Sequence, residues 1–595
     1  MDIILGIDLG TTNSEVAVIR GSQPIVLTED GDPILPSVVG LDSQGRLLVG
    51  KAARNQFVLA PERTIRSIKR RMGQDVAIPL GDHSFTPQEI SAMILRVLRA
   101  RAEKALGQVV TKAVITVPAF FNDAQREATR EAGELAGFEV MRIINEPTAA
   151  VLTYNPHPPE MERLLVYDLG GGTFDVSIAQ VEQGVVEILS SHGDTQLGGD
   201  DFDQRLLDFV CDRFQSEHGI DLRESLTAKS RLLNAVEDAK MRLSTEPIVG
   251  ITEEFIAEDN GVPLHVSVEI TREEYEELIE PLLAKTLRCV DDALTDAHLL
   301  AHEIDKVLLV GGATRTPMVH RLLSTRLGRP VHAEIEPDLA VAMGAAVQGG
   351  LIAGVDVGPV LVDITPHTVG IETLGERDGI PSRHSFSPII KRNTPLPAVR
   401  TEMYATVHDG QDAAEIRIFQ GDDDDTRYNE LVGDFHIQGL ADIPAPNQLL
   451  VRLELDLNGI LRVTATERAT GLAKQVVLDN AMERFRQRSR LDAQERLDSL
   501  LPMSANTSEA EDAQAIGPLE PEAQILDPAL REAMDTARAL LAKSTPLVAT
   551  ANSADADEMK SLIGELQQAL DRRDAGEIRR ISAELEDLVF YLADY

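Results

Sequence analysis

The chain has 595 residues, 43% of them hydrophobic, and a formal charge of −40 from 57 basic and 97 acidic side chains. That surplus repels nucleic-acid phosphate and anionic membrane, which sets both aside as partners, and the length asks for several domains of roughly 150 residues each. Cys211 and Cys289 are too few for a disulfide scaffold and have no neighbours at zinc spacing; together with a start, MDIILGID, that carries no basic leader, they make a cytoplasmic protein the expectation.

In chain order, residues 1–354 alternate β-rich segments with long helical patterns, as in the strand Ala113–Val117 before the helix Ala124–Ala136 and the strand Lys306–Val310 before a helix after Thr316. Residues 355–363, containing Asp356–Asp363 (DVGPVLVD), read as an interdomain linker. Residues 364–480 carry short alternating segments such as AEIRIFQ and QLLVRLELDL, with a hairpin turn at Asn458–Gly459, and predict an antiparallel β domain. Residues 481–595 turn helical: Met559, Leu562, Ile563, Leu566 and Leu570 share one face, as do Ile578, Ile581, Leu585, Leu588 and Leu592. An acidic Ser/Ala-rich stretch at about 502–521 reads as a flexible segment.

One pattern occurs twice. Ile3–Ile19 reads IILGIDLGTTNSEVAVI and Leu164–Ile178 reads LLVYDLGGGTFDVSI. Each is an apolar strand ending in Asp, a small-residue turn with Gly and Thr, and a second apolar strand. Such a tip offers backbone N–H groups and a hydroxyl beside a carboxylate, which a phosphate with its magnesium requires. Asp8 and Asp168 stand 160 positions apart (168 − 8), as two duplicated halves closing on one cleft would place them.

Six blocks in order, GIDLGTTNS (Gly6–Ser14), AVITVPAFFNDAQREAT (Ala113–Thr129), RIINEPTAA (Arg142–Ala150), DLGGGTFDVS (Asp168–Ser177), LVGGATRTPMV (Leu309–Val319) and PDLAVAMGAAVQGG (Pro337–Gly350), make the chain resemble the seventy-kilodalton heat-shock chaperones of the DnaK type from Met1 to about Asp479. The resemblance implies a multidomain fold: an actin-like, ribonuclease-H-like duplicated α/β ATPase domain, an antiparallel β-sandwich that binds peptide, and an α-helical lid. It implies ATP and ADP as ligands with Mg²⁺ and K⁺. Residue chemistry and resemblance coincide on Asp8 and Asp175 for a hydrated Mg²⁺, and on Gly10, Thr11, Thr12, Asn13, Gly170, Gly171, Gly172 and Thr173 for the phosphates. Lys69 matches the lysine that neutralises γ-phosphate charge, and Glu146 with Asp168 would orient the attacking water. Gly311 and Gly312 permit close backbone approach to the nucleotide; Arg315 would stack on adenine; Glu237, Lys240 and Ser244, three and four apart on a helix, would reach ribose and base; Asp338 would lie near the nucleoside. Met241 stands where many relatives carry Arg.

By the same resemblance, Pro118 and Arg126 relay nucleotide state, and Arg142, Asn145, Thr148 and Asp363 meet a J-domain cochaperone. Ile371, Thr373, Leu374, Tyr404, Ala405, Val407, Ala414, Ile416 and Leu449 match the wall of a cleft for extended, unfolded polypeptide, with Leu374 and Val407 as an arch. Gly358–Pro359 depart from the family linker, and because proline brings no N–H to a strand edge, weaker or shifted docking is expected. A nucleotide exchange factor is implied without being identified. The function expected is an ATP-dependent chaperone whose grip on unfolded polypeptide is switched by ATP. Its rivals are a chaperone dedicated to one client such as an iron–sulfur scaffold, and an actin-like filament former or small-molecule kinase on the same ATPase fold.

Overall fold

A computed structural model describes residues 2–154, 161–331, 336–355, 357–377 and 380–477, and further along residues 493, 494, 496–498, 500, 562, 563, 566, 581 and 582. The stretch 502–521 and most of the two predicted apolar helix faces lie outside the described residues. The chain divides into two compact units, Met1–Ala505 and Asn506–Tyr595. In the second, Leu566 and Ile581, one from each predicted face, are buried.

The repeated pattern builds two sheets of the same plan. In the first, Ile4–Leu9 pairs antiparallel with Asn13–Arg20 and parallel with Lys112–Val117, which pairs in turn with Glu139–Asn145. In the second, Glu162–Leu169 pairs antiparallel with Phe174–Glu182 and parallel with Lys306–Val310. The central strands are covered on both faces, which is why they read as unbroken apolar runs rather than alternating ones: Leu164, Leu165, Val166 and Tyr167 are all buried.

Between the sheets sit the helices Glu146–Thr153 and Ala340–Ile352. The second, AVAMGAAVQGGLI, has Ala or Gly at seven of its thirteen positions, and its closeness to its neighbours explains why. A Cβ on Gly344 would fall 1.7 Å from the Ala149 carbonyl oxygen, and one on Gly6 would fall 1.9 Å from the Ala346 nitrogen. Backbone, not a flexible side chain, would have to move. Gly344→Ala is therefore expected to destabilise the first unit by about 1–3 kcal/mol, read as a lowered midpoint of its thermal transition; an unchanged midpoint would show that this helix pair is loosely packed.

Val360–Val362 adds a further parallel strand beside Val185–Asp194, with Val185 opposite Val360 and Glu187 opposite Val362. The Val360 N–H donates to the Gly184 carbonyl at 2.9 Å. Pro359 stands just before the first ladder pair, so its missing N–H removes no bond, and the linker pairs despite its unusual wording. Beyond it, Ile380–Ile390, Val369–Arg377, Ala413–Gln420 and Glu430–Gln438 form one four-stranded sheet, and Ala398–Ala405, Gln448–Leu455, Leu461–Glu467 and Ala473–Val477 another. Here alternation does set the faces: Leu449, Val451, Leu453 and Leu455 point into the core and Arg452 away from it. Ala493 and Leu497 bury against the core of the first sheet's half, with Arg496 paired to Glu89 and Asp498 to Arg96.

Candidate nucleotide site and its link to the β module

The two hairpins meet tip to tip. A Cβ on Gly171 would stand 1.8 Å from Thr12 Oγ1, and one on Gly172 would stand 2.5 Å from Thr11 Cγ2. Gly311, with φ +81°, passes so close that its Cβ would lie 2.4 Å from the Leu169 carbonyl oxygen. Only glycine fits these positions. The strand registers then fix where the carboxylates go: Asp8 stands directly opposite Glu15, and Asp168 directly opposite Asp175.

An inner cavity of about 80 Å³ is lined by Asp8, Glu15, Glu146, Asp168 and Asp338 and by a single cation, Lys69, together with Gly10, Thr11, Thr12, Asn13, Thr173, Gly311 and Gly312. Lys69 is 2% exposed and ion-paired to Glu146. Of the other four, Asp338 pairs with Arg315, while Asp8, Glu15 and Asp168 have no ion pair among the described residues. Burial, with Glu146 nearby, pushes Asp8 up to about 7, Lys69 and a 3.0 Å hydrogen bond from Thr116 Oγ1 opposing. Burial and Glu146 push Asp175 up to about 7 as well, against Lys69 and the Phe120 N–H. Asp168 is raised well above the usual carboxylate range by burial and then by Glu146, Asp175 and Asp8.

Asp175 Oδ2 and Thr12 Oγ1 are buried and have no hydrogen-bond partner. An acceptor and a hydroxyl left open in a site with surplus negative charge fit a hard cation with phosphate oxygens. Among the described residues no three His, Cys, Asp or Glu side chains converge on one point, so the fit is to a cation held partly through water and phosphate rather than in a cage of protein ligands.

Next to it lies a cavity of about 930 Å³ lined by Thr12, Asn13, Gly170, Gly171, Glu237, Lys240, Ser244, Gly312, Arg315 and Asp338 among others; that volume is of the size that takes a small organic ligand. Several residues that the sequence reading singled out are already engaged here. Glu237 accepts from Arg66 at 2.6 Å and Arg54 at 3.1 Å; burial would raise its pKa, but the two guanidiniums outweigh it and hold it low. Lys240 pairs with Asp203 at 2.8 Å, and Arg315 with Asp338 at 2.6 Å and Glu336 at 2.7 Å. Arg70 donates to the Gly172 carbonyl at 2.9 Å and pairs with Asp201, clipping the Ile68–Arg71 turn of the first half to a hairpin tip of the second. Sequence reasoning missed Arg54, Arg66, Arg70 and Asp203, whose partners are distant along the chain.

The coupling residues form one buried network. Arg126 donates to Asn145 Oδ1 at 2.7 Å and to the Ala119 carbonyl at 2.9 Å. Asn145 Nδ2 donates to both Asp363 oxygens at 3.2 and 3.1 Å, and Thr148 Oγ1 donates at 3.4 Å. Burial raises the Asp363 carboxyl, with Arg126 and Arg142 pulling the other way. Pro118 starts the turn, accepting from the Phe121 N–H. Around this network the β module is fastened at several points: Asn122 to Glu430 at 2.7 and 2.8 Å, and Arg392 and Asn393 to Asp296 at 2.9 and 3.0 Å.

His367, unnoticed in the sequence, donates through Nε2 to the Phe120 carbonyl at 3.0 Å, and its ring lies edge-on to Phe120 at 4.4 Å. Phe120's own N–H donates to Asp175 Oδ1 at 3.0 Å. Burial pushes His367 down to about 4, with Arg126 and His192 adding to the effect and the Phe120 carbonyl and Asp422 opposing it. A depressed histidine favours the contact while neutral. Fastening should thus be complete above the free-histidine value of about 6.5 and weaken as pH falls from there towards about 4, followed by energy transfer between labels on the two modules; a flat profile would remove His367 from the interface.

The cleft residues spread over different depths. Ile371, Ile416 and Leu449 are core residues of the sandwich, and Tyr404 and Ala414 pack against that core. Tyr404 shares a hydrogen bond with Ser387 at 2.9 Å. Thr373 is half-buried and Ala405 exposed, while Leu374 and Val407 are 58% and 54% exposed. Alternating apolar residues satisfy a sandwich core and a groove equally, so depth was beyond the pattern.

Comparison with known proteins bears on the whole chain. A family model described as "Hsp70 protein" matches residues 4–80 and 74–594. The curated "Chaperone protein DnaK" of Thermotoga petrophila and that of Thermotoga maritima are each 45% identical over 488 residues, 80% of this chain and 80% of the relative. The protein of the same name from Thermotoga neapolitana is 46% identical over 488 residues with the same coverage.

Proposed function

The chain belongs to the Hsp70 family and is an ATP-dependent molecular chaperone, and on that premise we propose that ATP hydrolysis in residues 1–354 sets how tightly residues 364–480 hold extended apolar segments of unfolded polypeptide. Asp8 and Asp175 hold a hydrated Mg²⁺, with K⁺ nearby. The hairpin tips grip the β- and γ-phosphates through Thr11, Thr12, Asn13, Gly170, Gly171, Gly172 and Thr173. The bound metal would supply neutralisation of phosphate charge. Lys69 places a fixed positive charge where the γ-phosphate develops negative charge, and Glu146 and Asp168 orient the attacking water. Glu237, Lys240, Ser244, Arg315 and Asp338 face ribose and adenine from the larger cavity. A J-domain cochaperone meets the surface at Arg142, over the buried Asn145, Thr148 and Asp363, an exchange factor opens the cleft, and residues 481–595 supply the lid.

The observation that carries this reading is the continuity of the Asp175–Phe120–His367 hydrogen bonds from a phosphate-hairpin carboxylate to the β module. Its test is the dissociation rate of a fluorescent Leu-rich peptide, first in ADP and then in ATP. Much faster release in ATP is expected; equal rates would deny the switch, and absence of binding would point to a dedicated client.

By the family resemblance, Ala414 occupies a place usually held by Val or Ile. A roomier central pocket follows, so a peptide array should show that aromatic anchors are tolerated, and Ala414→Val should narrow the preference to aliphatics. Burying one such side chain is worth about 1.5–3 kcal/mol. An array restricted to small aliphatics with the unmodified protein would refute this.

A further inference from the structure

We propose that Glu15 is a cation ligand in the nucleotide cleft, holding a hard cation other than the Mg²⁺ attributed to Asp8 and Asp175; the inference rests on the nucleotide-site reading above. The two hairpins correspond residue by residue at an offset of 160. Asp168 is the counterpart of Asp8 (168 − 8), and by the same offset Asp175 is the counterpart of Glu15 (175 − 15). The registers agree: Asp8 lies directly opposite Glu15 in one ladder, as Asp168 lies opposite Asp175 in the other. Directly opposed residues of an antiparallel pair project from the same face, so Glu15 stands beside Asp8 as Asp175 stands beside Asp168.

Glu15 is 2% exposed, among the buried apolar residues Val16, Ala17 and Val18 of its strand. It lines the inner cavity, and among the described residues nothing hydrogen-bonds or ion-pairs with it. Both cations that influence it are committed elsewhere: Lys69 to Glu146, and Arg101 to the Pro33 carbonyl at 2.9 Å with Glu29 at 3.6 Å. A carboxylate in a buried strand, opposite another carboxylate and without a partner, is costly. A hard cation with water and phosphate oxygens is the compensation that this geometry allows. Whether the ion is divalent or monovalent is a matter of source, since carboxylate oxygen serves both.

The test compares the full chain with Glu15→Gln and Glu15→Asp, each loaded with ADP. Mn²⁺ stoichiometry is read by electron paramagnetic resonance and calorimetry, and ADP affinity is titrated in K⁺ and in choline. The unmodified chain should bind one cation more than Glu15→Gln, or that cation at least tenfold more tightly, and Glu15→Asp should recover part of the difference. Loss in the Mn²⁺ count makes the ion divalent; loss of the K⁺ dependence of ADP affinity makes it monovalent. Equal Mn²⁺ counts and equal K⁺ dependence in the two chains, with ADP bound normally, overturn the proposal while leaving the nucleotide reading intact. Failure of the unmodified chain to bind ADP would instead remove that reading and this one together. Circular dichroism and the midpoint of the thermal transition verify that Glu15→Gln folds.

Discussion

Lys69→Ala should lower the single-turnover rate of ATP hydrolysis by about 10²–10³-fold, the usual effect of removing one preorganised charge from a transition state, while ADP still binds. Five carboxylates line the inner cavity against this one ammonium, so no other side chain can take over its role. Its 2% exposure keeps it out of water's screening. Binding should persist because the nucleoside side of the site, with Glu237 held by Arg54 and Arg66, is built from different residues. Stability should also change. Glu146 would be left without its partner in a buried place, where an uncompensated charge costs about 3–5 kcal/mol unless the group takes up a proton. Lys69→Arg separates the two effects: it keeps the charge and much of the stability but misplaces the nitrogen. Rapid-quench measurement of the variants beside a thermal melt decides the matter, and hydrolysis within a few-fold of the unmodified protein in Lys69→Ala would take Lys69 out of the chemistry.

Asp363→Ala should uncouple the modules. The carboxylate gathers Asn145, Thr148 and its neighbour's Ile364 N–H within 2.9–3.4 Å, and it is the counter-charge acting on both Arg126 and Arg142, whose guanidiniums burial pulls below their ordinary range. Without it Arg126 is left to Asp123 and Asp175, and Arg142 to Asp456, as counter-charges, and the Asn145 and Thr148 donors lose their acceptor. A penalty of about 1–3 kcal/mol shifts the fastened-to-separated equilibrium by about 5–150-fold. The ratio of peptide release rates in ATP and ADP should then collapse towards one, with nucleotide affinity little changed because Asp363 touches none of the phosphate hairpin. Asp363→Asn keeps the shape but not the charge and should fall between. An undiminished ratio in Asp363→Ala would mean that the fastening depends on Asn122–Glu430 and Arg392–Asp296 instead.

The residues most legible in the sequence are those whose requirement is local. A Gly-Thr tip after a strand that ends in Asp demands a small turn and nearby N–H groups, and both hairpins stand where that reading puts them, Asp8 and Asp168 at their bases. Charges that work across the cleft were not legible. Arg54 and Arg66 meet Glu237 from 183 and 171 residues away, and nothing in KAARNQF distinguishes such an arginine from a solvated one. Glu15 lies inside the first hairpin motif, yet its position beside Asp8 follows from strand register, not from composition. In the β module alternation sets strands and faces but not depth, so Ile416 in the core and Val407 at the surface look alike in sequence. Pro359 shows the same limit, because its effect depends on whether pairing begins before or after it.

That paired linker also gives the molecule a clock readable without an attached dye. When Val360–Val362 leaves the Val185–Asp194 strand, the Val360 amide loses the Gly184 carbonyl and the paired stretch of the older strand becomes an open edge. Deuterium uptake at these few amides should therefore pace the chaperone cycle, slow while the modules are joined and rapid once they part.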